Sequence, residues 1–157
     1  MPRITPNLWF DTNAEEAAEF YVSIFPNSKI TNVLLYTDAG PGPAGSAVTV
    51  DFVLDGQEFT GINGGPEFEF DEAVSFEITC ADQEEVDYYW SELSEGGEEV
   101  QCGWLKDRYG LSWQVCPTAL LELLSDPDKG RAVRATQAMF QMKKIDIAAL
   151  YAAADRE

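Results

Sequence analysis

An α+β fold of two paired βαβββ modules forming a concave mixed sheet, followed by C-terminal helices, is what this sequence predicts. Three observations carry that reading. Asn13-Ala14-Glu15-Glu16-Ala17-Ala18-Glu19-Phe20-Tyr21 aligns with Asp82-Gln83-Glu84-Glu85-Val86-Asp87-Tyr88-Tyr89-Trp90, 69 residues further on. Each segment opens on a capping residue, Asn13 or Asp82, with Glu16 or Glu85 three residues later, the pattern of a capping box. Each is preceded by a short apolar strand, Ile4 to Phe10 or Val74 to Cys80, and followed by further strand patterns. Such a repeat implies a pseudo-symmetric domain, and any concave site would be built jointly by the two halves.

After the first helix, Lys29 to Thr37 reads as a strand around Val33, Leu34, Leu35 and Tyr36. Ala39 to Gly45 is a loop by its glycines and prolines. Ala47 to Leu54 alternates as a strand should, Asp55-Gly56 is a hairpin turn, and Glu58 to Asn63 is the returning strand before Gly64-Gly65-Pro66. In the second half, Ala73 to Cys80 is a strand and Asp82 to Leu93 a helix stopped by Gly96-Gly97. Glu98 to Leu105 reads as one strand and Leu111 to Cys116 as the last, which leaves this half one strand short. Thr118 to Leu124 is helical. A longer helix from Pro127 or Asp128 toward Ala154 places Met139, Met142, Ile145 and Leu150 on one apolar face.

With 157 residues and 45% hydrophobic content the chain suits one compact domain. Its net charge of −18 excludes non-specific binding to nucleic acid and to anionic membranes, which require a positive surface. No apolar run is long enough to span a bilayer. Met1 to Pro6 lacks the apolar stretch of a signal peptide. Cys80, Cys102 and Cys116 are odd in number and lack CxxC spacing, so they read as buried thiols of a cytoplasmic protein.

Several segments carry a family resemblance: Ile4-Thr5-Pro6-Asn7-Leu8-Trp9-Phe10, Glu15 to Tyr21, Leu54-Asp55-Gly56-Gln57, Asn63-Gly64-Gly65-Pro66, Cys102-Gly103-Trp104-Leu105-Lys106-Asp107, and Ser112-Trp113-Gln114 leading to Pro117. In order and spacing they are similar to the PhnB-like branch of the vicinal oxygen chelate superfamily, often labelled 3-demethylubiquinone-9 3-methyltransferase. That superfamily includes glyoxalase I, bleomycin-resistance proteins and extradiol dioxygenases. The resemblance implies a single glyoxalase-like domain over 1–157, with modules near 3–66 and 73–117 and a helical tail at 118–155. It also implies a homodimer, since such modules pair between chains as well as within them. Superfamily enzymes hold a divalent metal between modules. By strand register the matching positions are Thr5, Ser75 and Gln114, with a fourth near Phe59 to Gly61. The chain has no histidine, and these are weak neutral ligands, so no metal and no cofactor is expected.

Gly40-Pro41-Gly42-Pro43-Ala44-Gly45 matches GxGxxG, but its prolines remove N–H donors and a strand follows it instead of a helix. It reads as a hairpin loop, and the methyltransferase label gains no physical support from it. Asp51 and Glu77 stand mid-strand among apolar residues. They are either general bases facing a cleft or the ordinary polar face of a half-buried sheet. Trp9 and Trp104 lie on or beside strands expected to line the cleft. With Thr5, Asn7, Asn63, Ser75 and Gln114 they compose a candidate site for a flat organic ligand. Trp90 and Trp113 read as packing residues. The expectation is metal-independent binding of a small molecule; the alternative is a glyoxalase-like lyase or isomerase using Asp51 or Glu77 as base.

Overall fold

The computed structural model describes residues 3–40 and 42–156. Met1 and Pro2 of the N-terminal segment, Pro41 of the glycine–proline loop and Glu157 lie outside the described residues. The chain divides into two units, one ending at Phe70 and the other beginning at Asp71. Among the described residues no helix is long and apolar enough to cross a membrane.

The first unit contains β1 (Asn7–Phe10), α1 (Ala14–Ile24), β2 (Lys29–Leu35), β3 (Ala47–Leu54) and β4 (Gln57–Asn63). Its sheet runs in the order β1-β4-β3-β2, with β1 parallel to β4 and the other pairs antiparallel. Helix α1 buries Ala14, Ala17, Ala18, Tyr21 and Ile24, a three-and-four spacing that makes one continuous stripe. The stripe packs on β3 and β4. There the Tyr21 ring stacks on Phe52 at 6.2 Å, and Phe52 on Phe59 at 5.5 Å. Burying each such ring stabilises the unit by about 1.5–3 kcal/mol. Val50, Phe52 and Leu54 alternate with half-buried Thr49, Asp51 and Val53, so one sheet face meets the helix and the other is polar.

The second unit repeats this topology with β5 (Ser75–Cys80), α2 (Gln83–Ser94), β6 (Glu98–Glu99), β7 (Trp104–Lys106) and β8 (Ser112–Pro117), in the order β5-β8-β7-β6. Glu98 to Leu105, expected as one strand, is two. Residues Val100 to Gly103 turn out of the ladder, with Cys102 and Gly103 in left-handed backbone at φ 61° and 83°. Their N–H groups donate to Met142 and Lys143 carbonyls instead of a neighbouring strand. The second half is therefore also strand, helix and three strands.

The two helix starts differ. Asp82 caps α2 as expected: its carboxylate accepts from Glu85 N at 2.9 Å, and the Glu85 carboxylate accepts from Ala81 N. Asn13 makes no side-chain cap, because its backbone (φ −115°, ψ 28°) is not extended as a capping residue requires. The Ala14 N–H donates instead to Asn63 Oδ1 at the end of β4, at 2.8 Å.

The expected long C-terminal helix is also broken. After α3 (Thr118–Leu124), helix α4 (Lys129–Met139) ends at Phe140, and α5 (Ile147–Ala154) starts afresh on the Asp146 cap. Met139, Met142, Ile145 and Leu150 still converge, on Leu120, Leu123, Ala135 and Ala154, but across a bend instead of along one helix face. Gln83 holds the bend: its amide donates to Ile145 O at 3.0 Å and accepts from Ile147 N at 2.8 Å. Gln83→Ala should lower stability by about 1–3 kcal/mol, the cost of leaving half-buried groups unpaired. Urea unfolding followed by circular dichroism measures it, and an unchanged midpoint would show that the clamp does not hold the tail.

Candidate functional site

The strand registers put the predicted site residues on definite faces. In the first unit Asn7 lies beside Thr60 and Trp9 beside Ile62, while Thr60 lies beside Asp51. These positions share the face opposite α1. In the second unit Glu77 lies beside Gln114, and Gln114 beside Trp104. The first strands of the two units correspond at an offset of 70, Asn7 with Glu77, so by pairing register Thr60 is the counterpart of Gln114 and Asp51 the counterpart of Trp104. The helices correspond at 69. The additional residue of the first unit falls at Asp11-Thr12, between β1 and α1.

Local bonding then separates the candidates. Gln114 Nε2 donates to Ser75 Oγ at 2.9 Å. Trp104 lies half-buried next to this pair, and among the described residues its indole N–H has no acceptor. Trp9 is differently held: its Nε1 donates to Gly65 O at 2.9 Å, its ring meets Phe68 edge-on at 4.9 Å, and Gly64 lies flat against it. A Cβ at Gly64 would come within 2.2 Å of that ring, so only glycine fits there. The Asn7 amide donates to Thr5 O, two residues back, where half-buried Thr5 precedes β1. Asn63 does not share the polar face. It lies beside Phe10 on the α1 side, its Oδ1 accepting from Ala14 N and its Nδ2 donating to Ala47 O at 3.0 Å.

Asp51 is half-buried and accepts a hydrogen bond from Thr60 Oγ1 at 2.8 Å, whereas Glu77 is exposed. Asp107, unremarked in the sequence beyond its turn, is the buried carboxylate: it accepts from Tyr109 N, Leu111 N and Trp113 Nε1, and so shapes the β7–β8 turn. Trp90 and Trp113 are core residues, as read from the sequence, with Trp90 donating to Glu99.

The positions at which the resemblance implies metal ligands do not form a fitting set here. Thr5, Thr60, Ser75 and Gln114 offer hydroxyls and an amide, and Ser75 and Gln114 satisfy each other. Among the described residues no three His, Cys, Asp or Glu side chains come together as a metal site.

The concave feature of the first unit lies at the end of its sheet, where the additional residue is. A cavity of about 620 Å³ is lined by Asp11, Thr12 and Glu15 on the α1 side, by Tyr36, Gly42, Pro43, Gly45 and Ser46 of the β2–β3 connection with Ala47 at the start of β3, and by Asn63-Gly64-Gly65. The glycine-rich loop is a hairpin loop, with Tyr36 N donating to Ser46 O and Gly45 N to Tyr36 O. Two of its glycines have a packing cause: a Cβ at Gly40 would lie 2.9 Å, and one at Gly42 2.5 Å, from the Tyr36 ring. The Tyr36 hydroxyl donates to Asn63 O at 2.8 Å, which fixes the loop over the strand end. Asp11, Thr12, Tyr36 and the loop were absent from the sequence-derived site, although the inserted residue and the Asn63-Gly64-Gly65 turn were both visible signals. A second, more open cavity of about 550 Å³ lies where α2, α3 and α5 begin, and its Asp82 and Asp146 already cap helices.

Cysteine chemistry is absent from both cavities. Burial, with lesser contributions from Glu85, Cys116 and Asp82, pushes the Cys80 thiol up to about 12. Burial and then Glu77 push Cys116 up to about 11.

A family model described as 3-demethylubiquinone-9 3-methyltransferase matches residues 2–116. The solved PhnB protein of Bacillus cereus is 36% identical, with a TM-score of 0.68 over 74% of this chain and 99% of its own. Protein PA1353 of Pseudomonas aeruginosa is 20% identical, with a TM-score of 0.61 over 74% and 98%. The fosfomycin resistance protein FosX of Listeria monocytogenes, solved with Mn(II) and sulfate, is 14% identical, with a TM-score of 0.51 over 74% and 89%. The last two show the fold alone. No curated protein matches. This chain belongs to the PhnB-like family that the matching model describes. Helices α3 to α5 lie beyond the residues matched by the family model.

Two outcomes are expected. Asn63→Ala removes an acceptor for Ala14 N and a donor to Ala47 O, and should cost about 1–3 kcal/mol in chemical unfolding; no loss would mean that another group caps α1. For the cysteines, the folded-state pKa values lie above the unfolded value near 9. Their contribution to stability is therefore complete below pH 9 and lost as pH rises toward 11–12. Thiol-reagent labelling of the native protein at pH 8, read by mass spectrometry, should modify Cys102 well before Cys80 or Cys116.

Proposed function

We propose that this PhnB-like protein binds a small organic molecule without a metal, in the cavity of its first unit. The observation that carries the reading is the cavity itself. Its volume of about 620 Å³ is typical of sites that enclose a metabolite-sized ligand. It offers the Tyr36 ring for stacking and two carboxylates, Asp11 and Glu15. Those carboxylates disfavour phosphate or carboxylate ligands and favour a neutral or cationic one. The glycine-rich loop therefore does not serve a nucleotide, and methyl transfer gains no support from it.

Catalysis by Asp51 or Glu77 is less well supported. Glu77 is exposed, Asp51 is engaged by Thr60, and neither lines the cavity. The polar sheet face with Trp104, Gln114 and Ser75 remains the other place where a flat ligand could rest.

Trp9 stands directly behind Gly64-Gly65, so its fluorescence should report occupancy. Titration with neutral and cationic aromatic metabolites is expected to change the fluorescence saturably, while anionic analogues do not. Tyr36→Ala should weaken binding roughly 2- to 12-fold, from the 0.5–1.5 kcal/mol of one aromatic contact. Glu15→Gln should weaken the cationic ligands alone. If Trp104→Ala abolishes binding and Tyr36→Ala leaves it intact, the ligand sits on the second sheet and the cavity reading is wrong.

A further inference from the structure

Asn63-Gly64 is the only place in the chain where asparagine precedes glycine. The fold imposes the two residues for unrelated reasons. Position 63 needs an amide, since its Oδ1 accepts from Ala14 N while its Nδ2 donates to Ala47 O. Position 64 needs glycine, since a Cβ there would come within 2.2 Å of the Trp9 ring. Together they make the dipeptide most prone to cyclise. No Cβ hinders the Gly64 nitrogen as it approaches the Asn63 side chain, and the glycine backbone turns freely.

In the closed structure that attack is blocked. The Gly64 N–H donates to Phe10 O at 2.9 Å. Both ends of the Asn63 amide are held, at 2.8 Å and 3.0 Å. Asn63 is also the last residue of β4, and the extended backbone of a strand turns the next nitrogen away from its Cγ. The lock sits at a strand end beside the Gly64-Gly65 turn, however, and strand ends are where local opening costs least.

We propose that Asn63-Gly64 is a self-modification site, and that the hydrogen bonds of the cavity wall set its rate. When the end of β4 opens, Gly64 N loses its proton to solvent and attacks Asn63 Cγ. The new N–Cγ bond closes a cyclic imide, the Cγ–Nδ2 bond breaks, and ammonia leaves. One water then opens the imide at either carbonyl, giving aspartate or isoaspartate at position 63; nothing is oxidised or reduced. Neither product restores the wall. Aspartate has no N–H for Ala47 O, and it adds a third carboxylate to the lining that Asp11 and Glu15 share. Isoaspartate lengthens the backbone by one carbon and moves Gly64 off the Trp9 ring. The change is one-way, and it holds whether or not the cavity takes a ligand.

The test incubates the full chain at pH 8, folded in buffer and unfolded in guanidinium chloride, with peptide mass spectrometry following each asparagine. In the unfolded chain Asn63 is expected to convert first, with aspartate and isoaspartate resolved by chromatography. In the folded chain its conversion should be roughly tenfold slower or more, from the three side-chain and backbone bonds that must open. Tyr36→Phe removes the hydroxyl bond to Asn63 O and should speed that conversion roughly 2- to 12-fold. Exposed Asn27, which precedes Ser28, is the internal reference and should convert alike in parent and variant. Asn63→Asp, which carries the aspartate product, should unfold at a lower denaturant concentration than the parent. Equal rates at Asn63 in the folded and unfolded chains, no acceleration by Tyr36→Phe, the same acceleration at Asn27, or an Asn63→Asp variant as stable as the parent would each overturn the proposal.

Discussion

At the end of β4 one asparagine meets three segments of the first unit. Asn63 Oδ1 takes the N–H of Ala14 at the start of α1, and Nδ2 gives a hydrogen bond to Ala47 O at the start of β3. Its backbone carbonyl accepts from the Tyr36 hydroxyl at the base of the β2–β3 loop. Each bond contributes only about 0.5–1.5 kcal/mol net. Together they fix where a helix begins, where a hairpin loop folds back and where a strand stops, and those three ends are the walls of the cavity. An amide suits the position because it donates and accepts at once; a carboxylate could not give the bond to Ala47 O.

The constraint traces to one residue of chain. The first unit has Asp11, Thr12 and Asn13 between β1 and α1, where the second has only Ala81 and Asp82 between β5 and α2. In the shorter connection Asp82 reaches the extended backbone of a cap and closes the helix start locally. The longer connection leaves Asn13 out of that conformation, and the cap must come from across the sheet. The partner of Phe10 is Asn63, while the partner of Cys80 is Pro117. One strand therefore ends in a Gly-Gly turn beside a cavity. The other runs directly into α3 and the tail.

Alternation and helical spacing made most of the fold legible. β3 and its hairpin at Asp55-Gly56 follow the pattern almost to the residue, and the Asp82/Glu85 pair marks α2 correctly. The failures have physical causes. Asn13 has the right residue type for a cap but the wrong backbone, which composition does not encode. The break at Val100 to Gly103 depends on carbonyls of Met142 and Lys143, about 40 residues distant in sequence. The tail helix bends because Gln83, from another element, holds its linker. For the site, strand parity places Asn7, Trp9, Ser75, Trp104 and Gln114 on polar faces. The same parity, applied to Asn63 beside Phe10, puts it on the helix side. The glycine-rich loop was correctly read as a hairpin, but its role as a cavity wall depends on Tyr36 packing that no local motif announces.

The sign of charge at the cavity follows from the same local arrangement. A helix start presents unpaired N–H groups and a partial positive charge, which elsewhere makes it a seat for phosphate. At α1 that charge already faces carboxylates of the chain itself, with Glu15 and Glu16 in the first turn and Asp11 just before it. These acids stabilise the helix start, and under the proposed function they also set which ligands may enter. An anion would have to displace a favourable interaction within the protein and then meet two carboxylates. A neutral or cationic ligand leaves the helix start as it is and gains their attraction. Helix stability and ligand preference therefore draw on one set of charges, so a substitution that weakens the first should also relax the second.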